Sequence, residues 1–210
     1  IATVEAILDL DAIPIITNID DTLNMCPKDL KNKITKKTKA VIPVHMLGFS
    51  ADMRQIKKIC KKKRIPILED NCESMGALLN KKFLGTHSDI GVFSFDFGKN
   101  ITTGEGGAIL TNSKNHFKYV KEYHDHGHQL NPRFPRGMDT VSIFGFNYRM
   151  TEMQGAVGIA QIKKLNYIIK ENKKRYKLLE NVISSKFEIR KCILENDLLG
   201  ESISDKLQWM

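Results

Sequence analysis

The sequence predicts an α/β fold: a three-layer αβα arrangement around a mostly parallel sheet. Three observations carry this. Residues 40–45, 64–69 and 90–95 are short apolar, β-branched runs that read as buried strands. A helical pattern of the length a parallel crossover needs lies between the first two. With 210 residues and 41% hydrophobic content, the chain has room for one large domain and a real core.

The elements follow in chain order. ATVEAILDLDAIPIITNID (2–20) reads as a helix already under way, then a strand at 13–16. Pro27 sits where a first helical turn tolerates proline, with Leu30 and Ile34 on one face behind it. Residues 40–45 form the next strand, weakened by Pro43. Ser50 reads as the cap of a helix with Asp52 in its first turn. Met53, Ile56 and Ile59 give that helix its apolar stripe, and the lysines at its end suit the helix dipole. Strands follow at 64–69 and 90–95, and a further apolar run at 108–110. Residues 113–123 read as a helix. HDHGHQLNPRFPRGMDT (124–140) is a loop too long for a mere connection. Thr151 and Gln154 have capping-box spacing, and Met153, Ala156, Val157 and Ala160 share one face of the helix they open. The last strong helix is 166–185. The chain opens and stops in mid-pattern, so it reads as an internal fragment.

Composition narrows the class. The net charge is +9, but the lysines lie on helical faces such as 57–63 and 170–177 without interleaved aromatic residues. That pattern is a solvated face rather than a nucleic-acid footprint, though it favours anionic small substrates. Cys26, Cys60, Cys72 and Cys192 show no CxxC spacing, which suits a reducing, cytoplasmic setting. No apolar run is long enough to span a bilayer.

The chemistry is concentrated in FSFDFGKNITTGEGGAIL (93–110). Lys99 stands on a connection between two apolar runs, followed by Gly104, Gly106 and Gly107. Taken alone, a lysine in a lysine-rich chain reads as a surface residue. On a tight turn, held against backbone and partly desolvated, its amine becomes a nucleophile. In open parallel sheets, ligands sit at the carboxyl ends of strands. Asp70 and Lys99 each lie just past such an end, so neighbouring strands would aim a carboxylate and an amine into one cleft. Ser94 and the helix start after Asn147 could supply ligands to a phosphate. Amine, carboxylate and phosphate cradle are the protein parts that pyridoxal phosphate (PLP) requires. Taken alone, Asp70 reads rather as a turn or cap residue, and Ser94 and Asn147 more strongly still as makers of local backbone hydrogen bonds. Arg149 suits either a substrate carboxylate or a local pairing. His124, His126 and His128 would need a further ligand to hold zinc and fit a substrate-facing or interface loop better. His45 reads as a satisfied buried histidine.

Four segments then resemble the DegT/StrS-type sugar aminotransferases, which have the aspartate-aminotransferase (fold type I) architecture. They are KAVIPVHMLGFSADM (39–53), IPILEDNCESMGA (65–77), DIGVFSFDFGKNITTGEGGAILTN (89–112) and GFNYRMTEMQGAVGIAQIKKL (145–165), in the family's order and spacing. The resemblance implies a PLP-binding large domain over 1–165, incomplete at its N-terminus, with a connecting helix and the start of a small C-terminal domain over 166–210. It implies that Lys99 holds the cofactor covalently and that Asp70 faces the pyridine nitrogen. Ser94 matches a phosphate ligand, and Asn147 an asparagine that reaches the phosphate in a partner subunit of a homodimer. Glu73 stands where many members have glutamine beside the cofactor's phenolic oxygen. An ionised carboxylate there would be repulsive, so Glu73 is either protonated or turned elsewhere. The implied reaction moves an amino group from an amino acid, glutamate in the first instance, to a keto-sugar. The acceptor would be nucleotide-linked or, on the likeness of the 124–140 loop, an octulosonate for lipopolysaccharide. Related sugar dehydratases carry histidine in place of the lysine, and a non-catalytic relative is the remaining alternative.

Overall fold

The computed structural model describes residues 1–135 and 137–185. Its elements are α1 (Ala2–Leu8), α2 (Pro27–Lys33), a short 3-10 turn (Met46–Gly48), α3 (Met53–Lys63), β1 (Leu68–Asp70), β2 (Leu78–Leu79), β3 (Lys82–Phe83), β4 (Ile90–Ser94), β5 (Gly107–Leu110), α4 (Lys114–Tyr123), α5 (Glu152–Ile162) and α6 (Leu165–Ser184).

The core grows from α3. Asp52, not Ser50, is its N-cap: the Asp52 carboxylate accepts from Gln55 N at 2.9 Å. Ser50 instead donates its hydroxyl to the Ala51 carbonyl at 2.7 Å. Arg64 ends the helix in the left-handed region at φ 55°. Met53, Ile56 and Cys60 face inward and pack with Leu30, Val41, Ile67, Leu79 and Leu84. Burying a side chain such as Ile56, which is 0% exposed, contributes about 2 kcal/mol.

The main sheet has the order β1-β4-β5. β1 and β4 run parallel, with Asp70 opposite Val92, and β5 closes the edge antiparallel to β4. Residues 40–45 run alongside β1 but reach it only through parallel bridges at Val41–Ile67 and Val44–Asp70. Pro43 explains the interruption: it has no N–H to give, though its carbonyl accepts from Asp70 N at 2.9 Å. The strand expected over 64–69 shortens to Leu68–Asp70, because Arg64 is spent on the helix cap. Residues 13–16 form no strand, and Ile13, Ile15 and Ile16 are exposed. A strand needs a neighbour for its backbone groups, and none lies beside this segment among the described residues. The capping box of α5 is present, but the apolar face it opens is bare, with Met153 82% exposed. α6 touches the core through Leu165 and Ile169, which are partly buried. The expected start of a small C-terminal domain falls on residues 186–210, outside those described. No helix among the described residues is long and apolar enough to cross a membrane.

A buried polar lock sits behind the sheet. Glu69 points away from the side that Asp70 faces, as alternation along a strand requires. Its carboxylate is fully buried and accepts from His45 Nε2 at 3.1 Å, Gly85 N at 2.9 Å and the Ser88 hydroxyl at 2.7 Å. His45 Nδ1 accepts from Ala51 N at 3.2 Å, so the ring carries its proton on Nε2. Burial pushes the Glu69 carboxyl up, but the bonds from His45, Ser88 and Gly85 outweigh it and bring it down from 4.5 to about 2. The Gly85 loop reaches Glu69 by crossing β4 at Gly91, where an added Cβ would collide with the Gly85 carbonyl.

Because its folded pKa is depressed, Glu69 stabilises the fold fully above pH 4.5, and that stability disappears as pH falls toward about 2. Glu69→Gln is expected to cost about 3 kcal/mol at neutral pH and to flatten this acid-dependent loss, both read from urea unfolding across pH. Gly91→Ala is expected to cost about 3 kcal/mol in the same assay, because the obstructing atom is backbone and cannot yield.

Candidate active site

The Lys99 turn connects β4 to β5 and is tied across its base. Phe95 N donates to Gly106 O at 2.9 Å, and Thr103 N donates back to Phe95 O at 3.0 Å. Inside it, Lys99 N donates to Asp96 O at 3.0 Å. Gly106, at φ +147°, lies where a Cβ would meet Thr103 Oγ1 at 2.8 Å. Two helices brace the turn: Gln154 of α5 donates to Glu105 O at 2.9 Å, and Asn172 of α6 donates to Asn100 Oδ1 at 3.1 Å. The lysine therefore stands on a stiff platform, with its side chain 26% exposed.

Lys99, Ser94 and Glu73 line one cavity of about 250 Å³, together with Cys72, Leu47 and Asn100. The Lys99 amine lies 3.8 Å from Glu73 Oε1. Glu73 is thus turned toward the amine. Its Oε2 is buried and has no hydrogen-bond partner among the described residues. Ser94 is the last residue of β4; its Oγ accepts from Asp96 N at 3.2 Å, so its own proton can go to a ligand.

Asp70 closes β1, one strand away from β4. Its Oδ1 accepts from Cys72 N at 3.1 Å and its Oδ2 from the Thr3 hydroxyl at 2.7 Å. Cys72 links the carboxylate to the cavity. Burial, followed by the charge of Asp70, pushes its thiol up to about 12, while the Lys99 amine pulls it the other way. Asp70 ends β1, Lys99 follows the neighbouring β4, and both act on Cys72, but Asp70 is not among the residues that line the cavity.

Asn147 lies elsewhere. It is exposed on a ribbon bridged to Asp125, and its Oδ1 accepts from Arg149 Nε at 2.9 Å. Arg149 Nε also lies 3.2 Å from Asp125 Oδ1, so it makes a local pairing. His128 pairs with Asp139 at 2.8 Å and His124 with the Lys121 carbonyl at 2.6 Å, and no group of metal-ligating side chains forms among the described residues. Thr3, Cys72, Leu47 and Asn100 were not singled out from the sequence. Only Asn100 carried a signal, as the neighbour of Lys99.

The donor set fits PLP. An amine that can hold an aldehyde, a hydroxyl that can meet a phosphate and an unpartnered carboxylate oxygen share one cavity, beside a carboxylate held by both its oxygens.

Known proteins resemble this chain over most of its length. GDP-perosamine synthase of Escherichia coli O157:H7 is 34% identical over 192 residues, covering 91% of this chain and 51% of that protein. The structure of Helicobacter pylori PseC, an aminotransferase involved in the biosynthesis of pseudoaminic acid, matches with a TM-score of 0.81 at 29% identity, over 89% of this chain and 49% of its own. A GDP-4-keto-6-deoxymannose-3-dehydratase with a trapped PLP-glutamate geminal diamine matches with a TM-score of 0.77 at 31% identity, over 87% of this chain and 50% of its own. The chain thus spans about half the length of the relatives it matches. PLP is the cofactor of that solved relative, and the shared architecture is the three-layer α/β fold expected from the sequence. Residues 1–195 match the family model itself, and the chain belongs to the DegT/DnrJ/EryC1/StrS aminotransferase family.

Proposed function

We propose that the full-length protein is a PLP-dependent transaminase that moves the amino group of an amino acid, glutamate in the first instance, to a keto-sugar destined for surface polysaccharide. The observation that carries this reading is the amine of Lys99, on a braced turn, facing Glu73 in the cavity that Ser94 also lines. PLP, when bound, supplies an aldehyde carbon that takes up amines and a ring that draws off the electron pair left when a Cα–H bond breaks. Lys99 would hold the cofactor between turnovers and, once free, take the proton from the donor's Cα and return it later. Asp70 would hold a proton at the ring nitrogen, and Ser94 would bind the phosphate by donating its hydroxyl proton. Glu73 would keep the free amine oriented across the cavity. Cys72 remains a neutral thiol at working pH, which suits a wall residue rather than a nucleophile.

The acceptor class follows from GDP-perosamine synthase and PseC, with the octulosonate reading resting on the 124–140 loop. Asn147 and its ribbon support a homodimer that shares active sites: the ribbon is exposed, and its Phe146 and Tyr148 form a partly bare aromatic cluster with Tyr123 at the end of α4. The dehydratase reading is favoured by likeness to the 3-dehydratase structure, and residue 99 weighs against it.

With nitrogen-labelled glutamate and a nucleotide-linked keto-sugar, the full-length protein is expected to give a labelled amino sugar. An unlabelled sugar that has lost a hydroxyl would mark a dehydratase instead. Lys99→Ala is expected to slow labelling by about a thousandfold or more, with folding checked by circular dichroism.

A further inference from the structure

We infer that Thr3 is a positioning residue for Asp70, setting the plane of its carboxylate toward the cofactor. The inference rests on the reading in which Asp70 faces the PLP ring nitrogen. Asp70's backbone is already held by the neighbouring segment: its N donates to Pro43 O at 2.9 Å, and its carbonyl accepts from His45 N at 3.0 Å. That leaves the side chain. The terminal torsion of an aspartate is broad and roughly two-fold, so one bond does not fix its plane. Cys72 N holds Oδ1 at 3.1 Å, and the Thr3 hydroxyl, 67 positions away in the chain, holds Oδ2 at 2.7 Å. Together the two donors fix the plane. The Thr3 bond is short and ends on a carboxylate, the stronger class of hydrogen bond.

Thr3 has little other work to do. α1 buries none of its residues, so loss of the hydroxyl opens no cavity in the core. A Val at this position keeps the shape and removes only the donor. At metal sites, residues that orient a ligating side chain typically change affinity tenfold or more when removed, and an effect of that size is the expectation for Asp70.

The test is PLP affinity of the full-length protein, measured by equilibrium dialysis on the cofactor-free form of wild type, Thr3→Val and Thr3→Ser. Thr3→Val is expected to bind PLP about tenfold more weakly, with Thr3→Ser within about twofold of wild type. Thermal melting of the same cofactor-free samples separates folding from positioning, with a shift of no more than about 2 °C expected in either variant. Thr3→Val binding as tightly as wild type would overturn the inference, as would Thr3→Ser binding as weakly as Thr3→Val. Wild type that fails to bind PLP at all would instead remove the proposed function, and the inference with it.

Discussion

The fully buried Glu69 carboxylate is the constraint on which the rest of the structure depends. Three donors from two segments converge on it: His45 at the end of the bridged 40–45 run, and Gly85 and Ser88 on the loop that leads into β4. A buried charge is tolerated only when its donors are in place. Satisfying Glu69 therefore fixes the spacing of β1, β4 and the 41–45 segment at once. It also explains why Gly91 must lack a side chain, since the Gly85 backbone passes against it.

Strand alternation converts that lock into a site. Glu69 points to the back, so Asp70 points to the front. Parallel pairing places the end of β1 beside the end of β4, and the Lys99 turn follows. The turn is rigid because its base is hydrogen-bonded and because α5 and α6 both grip it. The amine that reaches Glu73 is thus delivered by backbone geometry, and the polar residues of the cavity come from elements that the hidden lock holds in register.

Much of this was legible in the sequence, for local reasons. A lysine on a glycine-rich connection between apolar runs is a short-range pattern, and so is the Thr151–Gln154 capping box, which the structure contains. Strand ends located Asp70 and Ser94 to within a residue. Other features depend on distant partners and were hidden. Residues 13–16 have strand composition but no neighbouring strand to complete them. Ser50 and Asp52 are both good caps two positions apart, and only the bond to Gln55 N separates them. The direction of Glu73 depends on where Lys99 lies. The Thr3–Asp70 bond joins residues that no spacing rule connects.

The central claim is that Lys99 is the residue that holds PLP. The most direct measurement is to load the full-length protein with PLP, reduce it with borohydride, digest it and locate the pyridoxyl group by mass spectrometry. The account requires that group on the peptide containing Lys99. A pyridoxyl group on another lysine, or on none, would contradict it.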